Sequence, residues 1–293
     1  MDVRTVAVAN SPKTSILGTV APNLPMPGQQ YDKIYLELLT NAQRLYFNQL
    51  DRFTQGLLAS AGGGALKFPY FSGYQNGHTT ITVGINGSAT SVSVASTAAF
   101  ASAGFLLIEN EVVQYTGKTA TSFTGLTRGV KGTTAAAHIA GVAVTEAAAV
   151  AAGSSAALTL DTVVSSNQLT CTVPSSRVYF NGAGIYNVQF SAQLLNYTNS
   201  EDNVTLWIRK NGVDVPASAG IQQVNAQHGG NPGSTIAAWN YVDEFIATDY
   251  IELYWTSDTG NTVVATYPPG TAPVHPASPS LILTVTFVSA PQA

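Results

Sequence analysis

The chain has 293 residues, a net charge of −4, and only 10% Asp, Glu, Lys and Arg. Soluble domains usually carry about 25% charged residues, so this composition argues against a freely dispersed enzyme and for a β-rich protein whose surfaces are covered by neighbours. The charge also excludes a whole-molecule basic field for nucleic acid.

Nine Lys/Arg and seven Asp/Glu precede Gly153, against three and nine after it, so the front is slightly basic and the back acidic. The single cysteine, Cys171, excludes an internal disulfide and a cysteine-built zinc site. It reads as a small apolar side chain in or beside a strand. Met1 to Asn10 lacks the apolar core of a signal peptide, and no apolar run reaches bilayer length. The expectation is assembly in a cytoplasm without membrane insertion.

Residues 1–30 hold Pro12, Pro22, Pro25 and Pro27 among Ser, Thr, Asn and Gly, which predicts an extended arm that orders along a partner. A helix follows in residues 31–61, with Asp32 as a candidate N-cap. Tyr35, Leu39, Ala42, Tyr46, Leu50, Phe53 and Leu57 step by three or four, a helical stripe. Ile34, Leu38, Leu45 and Phe47 widen it. A stripe this broad packs either on its own β domain or against two further copies around an axis. Gly62-Gly63-Gly64 then breaks the helix. The aromatics Phe68, Tyr70, Phe71 and Tyr74 are expected to plug the junction between helix and β domain.

Residues 62–152 show short alternating strands and read as a small β domain. Arg128, between turn residues, and the lone His138 are expected to bond loop carbonyls rather than a ligand, since no glycine-rich loop leads into a helix here. The Ala/Gly/Ser stretch 147–157 reads as a linker, which begins the last domain, 153–293. There Tyr186, Val188, Phe190, Ala192 and Leu194 alternate, as do Val204, Leu206 and Ile208, which run into Asn211-Gly212, a strong hairpin signal. Tyr250 to Trp255 form a further strand. Tyr186, Phe190, Trp207, Trp239, Tyr254 and Trp255 are the expected aromatics of the core and of a trimer seam.

Catalysis finds no constellation. Asp243, Glu244, Asp249 and Glu252 are the candidate carboxylates, and Glu252 and the Asp243-Glu244 pair read as solvated edges. None of the four histidines sits in a nucleophile motif. Two loops are the best candidates for recognition, 225–235 with Asn225, His228 and Asn231, and 266–279 with Tyr267 and His275. His228 and His275 have no metal-ligand spacing, so no metal and no cofactor is expected.

Tyr186 to Leu194, the Trp207-to-Gly212 hairpin and Asp249 to Leu253 resemble the jelly-roll module of the tumour necrosis factor and complement globular-head superfamily, in the version found at the C-terminus of tailed-phage fibres. The segment from Ile108 to Val144 resembles a small β module recurring in phage tail and fibre proteins, and Pro22 to Phe53 resembles N-terminal segments of cyanophage structural proteins. The resemblance implies a mainly β chain with a trimeric coiled coil, a spacer or docking domain and a C-terminal antiparallel jelly-roll sandwich. It implies a non-enzymatic homotrimeric tail fibre or appendage of a virion, joined to other virion proteins by its arm and facing a host glycan or protein. A head decoration protein and a cell-surface lectin-like module are the alternatives.

Overall fold

The strand Gly184–Asn196 sets the architecture. Its alternate side chains Tyr186, Val188, Phe190, Ala192 and Leu194 are all buried, because a period of two puts them on one face of the sheet. It pairs antiparallel along its length with Gly233–Phe245 on one side and with Leu281–Ser289 on the other. Leu281–Ser289 pairs in turn with Tyr70–Gln75, and that strand with Thr162–Asn167. In the computed structural model, which describes residues 33–58 and 68–291, the first and last long strands are therefore neighbours.

A second sheet runs Leu169–Thr170, Val178–Phe180, Tyr250–Ser257, Asp202–Lys210, with Gly220–Val224 and Val213–Asp214 on its far edge. Asn211 and Gly212 close its hairpin with φ of 53° and 79°, the twist-matching turn that this dipeptide favours. The two sheets share one core, in which Val188 and Phe190 join Leu206, Ile208, Leu253 and Trp255. Phe180 stacks on Phe245 at 4.1 Å, with Tyr186 edge-on to Phe180 at 4.8 Å. Such aromatic contacts add to the burial term rather than replace it.

Of the aromatics expected in core or seam, Tyr186, Phe190 and Trp255 are buried in this core. Trp239 is half-buried and meets Phe190 edge-on at 4.5 Å. Trp207 and Tyr254 are out of phase with Leu206, Ile208, Leu253 and Trp255, so they lie half-buried on the outer face of the second sheet. There Trp207 Nε1 donates to Asp214 at 2.7 Å, and the Arg209 guanidinium lies 4.3 Å above the Tyr254 ring.

The expected series of β domains is replaced by an insertion. Tyr70–Gln75 is a sandwich strand, with Phe71 wholly buried in the sandwich core. Tyr70, Phe71 and Tyr74 are thus sheet residues rather than a junction plug, while Phe68 stacks on Phe287 at 5.9 Å. After Gln75 the chain leaves the sandwich, builds a lobe with its own core of Ile81, Leu106, Ile108, Val113, Tyr115 and Phe123, and returns.

The strand Ala143–Ala149 pairs with Gly104–Ile108 in the lobe and with Val263–Ala265 of the sandwich, so one sheet runs through both. Leu107, Val112, Leu195, Tyr197 and Val263 form a third core across the joint. The stretch 147–157, expected as a linker, instead holds the end of this strand, a turn at Gly153 and the strand Ser155–Ala157. Alanine carries too little hydrophobic contrast for the period of two to show there.

The described residues before Phe68 belong to a unit of their own. Its helix α1 spans Lys33–Leu58. Tyr35, Leu39, Ala42, Tyr46 and Leu50 form its half-buried stripe, whereas Ile34, Leu38, Leu45 and Phe47 are exposed. The expected arm, residues 1–30, and the side chains of Phe53 and Leu57 lie outside the described residues.

One polar group stitches the second sheet to the loop after it. Asp202 is 2% exposed and accepts from the Ser257 hydroxyl at 2.6 Å, the Thr262 hydroxyl at 2.6 Å, and the Thr262 and Thr259 amides at 3.1 Å. Burial alone would push its carboxyl pKa up, but these donors outweigh burial and hold it below the usual range. Asp202→Asn keeps one acceptor oxygen and turns a donor toward the others, at an expected cost of about 1–2 kcal/mol. Because the folded pKa is depressed, that stability is present at neutral pH and is lost as pH falls through the folded pKa. Urea midpoints of wild type and variant should therefore differ at pH 7 and converge in acid.

Candidate functional site

Glu109 and Asn110 form the tip of the hairpin that joins Gly104–Ile108 to Glu111–Tyr115. Glu109 adopts φ 53°, while Asn110 has no positive φ. A positive φ at the first central residue alone is a position that favours glycine. Glu111, next in the chain, is 1% exposed and saturated with donors. Arg128 Nε and Nη2 each reach one of its oxygens at 2.7 Å. The amides of Gly129 and Ala136 and the His138 Nε2 complete the set at 2.9, 3.1 and 2.8 Å. Burial would raise the Glu111 pKa, but the Arg128, His138 and Ala136 bonds pull it below the usual carboxylate range.

The other ring nitrogen of His138, Nδ1, lies 2.7 Å from Glu109 Oε2. The side chains of His138 and Glu111 are each 2% exposed, while that of Glu109 is 59% exposed. A buried ion pair thus orients a buried imidazole, which fixes one oxygen of a surface carboxylate and leaves the other open. Arg128 does bond the carbonyls of Asn86 and Ala136, as expected from its loop setting. Its main partner, however, is Glu111, and the His138 ring faces two carboxylates, while the His138 backbone amide donates to the Ile85 carbonyl at 2.9 Å.

Glu109 stands on the rim shared by two adjoining hollows. One, about 390 Å³, is lined by Leu107, Thr145, Tyr197, Asn231, Pro232 and Tyr267 among others. The second, about 440 Å³, lies between Glu109, Thr133, His138, Tyr197 and Gln227. Both fall within the range of small-ligand clefts, about 300–1,000 Å³. Burial, and for Tyr197 also the neighbouring Tyr267, raises the pKa of both tyrosines, so their hydroxyls stay protonated.

The two candidate loops converge on this groove only in part. Asn231 and Tyr267 line it. Asn225 is exposed, and its carbonyl accepts from Asn196 Nδ2 at 3.2 Å. Gly233 crosses that carbonyl so closely that an added Cβ would lie 1.8 Å from it, which only glycine permits. His228 is exposed and bridges Asn231 through backbone bonds. His275 is exposed on the small hairpin Gly270–Thr271 to Val274–His275, with Nδ1 beside the Pro276 carbonyl. Neither histidine lines the groove, and among the described residues no group of three or more His, Cys, Asp or Glu is placed to hold a metal ion.

The candidate catalytic carboxylates are not solvated edges throughout. Asp249 and Glu252 are buried. Glu252 accepts from Ser176 at 2.6 Å and Arg177 at 3.3 Å, and Asp249 accepts from Asn211 at 2.7 Å and the Ile246 amide at 2.9 Å. Asp249 is bonded through both oxygens and Glu252 through Oε1, so both are held by turn and strand partners where they are buried.

Sequence reasoning passed over Glu109, Glu111 and Tyr197. One signal was available, the two acids Glu109 and Glu111 in the largely apolar run Phe105 to Tyr115, where only a paired charge can be buried. No protein-family model matches the chain, and no curated protein matches it.

Proposed function

We propose that the chain is a non-enzymatic virion structural protein of a tailed phage, assembled as a homotrimer. Residues 1–30 and α1 serve as its anchor and coiled coil, and the β unit projects outward as a jelly-roll head. The observation that carries this reading is the outer face of the large sheet. Three cross-strand rows cover its centre. They are Tyr74–Ile282–Ser191–Ala238, Ser72–Thr284–Gln189–Asn240 and Tyr70–Thr286–Asn187–Val242, without an Asp, Glu, Lys, Arg or His.

The outer face of the other sheet carries the row Arg177, Glu252, Arg209, Asp214. A face with alternating charge suits water, whereas a broad neutral face with Ile236, Val242 and Ile282 exposed suits a neighbour. The exposed Ile34, Leu38, Leu45 and Phe47 on α1 point the same way. Adjacent first and last strands fit a jelly roll, and the resemblance to that superfamily implies three-fold packing.

Light scattering of the purified chain tests the assembly. The expected mass is three times the 30.5 kDa protomer. Gln189→Lys at the centre of the neutral face should shift it to one protomer without loss of β circular dichroism, since an unpaired charge is costly inside such a contact. A monomeric wild type would end this reading. Immunogold labelling of intact particles then places the protein on tail or head, and absence from both removes the virion role.

A further inference from the structure

We propose that the groove rimmed by Glu109 binds an uncharged, hydroxyl-rich glycan, with the open oxygen of Glu109 as its fixed acceptor. The proposal rests on the reading of the chain as an outward-facing attachment head and names the ligand class of its groove. The first observation is the conformation of Glu109. A glutamate at φ 53° occupies a turn position that glycine takes without strain. Backbone strain of this kind persists where the surroundings over-determine it, and it concentrates at ligand clamps. Here the surroundings are the Arg128–Glu111–His138 chain behind the hairpin.

The second observation is the charge balance. Both nitrogens of His138 face carboxylate oxygens, at 2.7 and 2.8 Å. Glu111 is matched by the Arg128 guanidinium, and one oxygen of Glu109 is engaged by the His138 ring. An acidic polysaccharide or phosphate meets the Glu109 carboxylate and neither lysine nor arginine, since none is among the described residues that line the two hollows.

The remaining lining fits a sugar. Asn110, Asn231, Ser234 and the protonated hydroxyls of Tyr197 and Tyr267 offer paired donors and acceptors. Leu107, Val142, Pro232 and Pro268 supply apolar walls for the C–H faces of a pyranose. Three separate chain segments meet here, the lobe hairpin and the two sandwich loops, so the groove exists only because the lobe is inserted into the sandwich.

The test uses the full chain passed over immobilised neutral polysaccharides (dextran, mannan, galactan) and acidic ones (alginate, heparin). Retention on at least one neutral polymer and on neither acidic polymer is expected. Glu109→Gln keeps an oxygen for His138 and replaces the open acceptor by a donor, so it should weaken retention by about tenfold, the scale of one hydrogen bond to a charged group, at an unchanged melting temperature. Tyr267→Phe should weaken it without moving the fold, and His275→Ala, outside the groove, should leave it unchanged.

No retention on any neutral polymer, retention on alginate or heparin, or wild-type retention by Glu109→Gln would each overturn the proposal. Light scattering and particle labelling separate this from the broader reading. A trimer found on particles that retains no sugar ends only the groove assignment, whereas a monomer absent from particles that still binds mannan ends only the virion role.

Discussion

Replacing Arg128 by Met is expected to cost about 3–5 kcal/mol, the range for breaking a buried ion pair from one side. The side chains of Arg128 and Glu111 are 6% and 2% exposed, so water cannot take over the lost partner. Methionine fills most of the volume but leaves Glu111 ionised and buried, held only by His138 and the Gly129 and Ala136 amides. It also strips a donor from the carbonyls of Asn86 and Ala136. The lobe has a core separate from that of the sandwich, so the loss should be local. Amide hydrogen exchange should accelerate at Ile85, Val112 and His138 while Val188 and Leu206 keep their protection. Uniform acceleration across both groups would show that lobe and sandwich unfold as one unit and that the pair supports the whole.

The contrast between lobe and sandwich also explains what the sequence made legible. The period of two in Tyr186 to Leu194 and in Val204 to Ile208 names the buried residues directly, because one face of each strand meets an apolar core and the other does not. The Asn211-Gly212 turn follows from positive φ tolerance alone.

The insertion was not legible. Tyr70–Gln75 pairs with Leu281–Ser289, more than 200 residues away in sequence, and no local pattern encodes such a partner. Ala143–Ala149 is a central strand made largely of alanine, a residue depleted in strands, and only pairing on both edges holds it there. At the groove, the loop composition around Asn231 and Tyr267 was informative, since Gly, Asn and Pro mark chain that a rigid scaffold can display. Glu109 was invisible because its role depends on φ and on His138, set by residues at 111 and 128 that become neighbours only on folding.

Glu146→Gln should stabilise the protein by about 3 kcal/mol at pH 8 and leave it nearly unchanged at pH 4. Glu146 lies on the strand shared by lobe and sandwich, where its backbone is held by the Gly77 carbonyl and the Thr266 amide. Burial, and then the neighbouring Asp161 carboxylate, push its pKa up to about 7, against partial relief from the Gln75 amide and Lys118.

The sign follows from the raised value. Below about pH 4 the group is protonated in both the folded and unfolded chain, so it contributes no pH dependence. Between the ordinary carboxylate pKa and 7 the unfolded chain ionises first, and stability falls as pH rises. Above 7 both states are ionised and the full penalty stands, about 1.4 kcal/mol per pKa unit.

Glutamine carries no charge to desolvate, and its oxygen still accepts from Gln75. The difference in urea midpoint between variant and wild type should therefore grow from pH 4 to pH 8, and most steeply between 5 and 7. Hydrogen exchange at Ala147 and Val264 should slow in the variant over the same range, since these residues carry the pairing that joins lobe to sandwich. A difference that is constant with pH would mean that Glu146 titrates at the ordinary carboxylate pKa in the folded chain and that water reaches the joint.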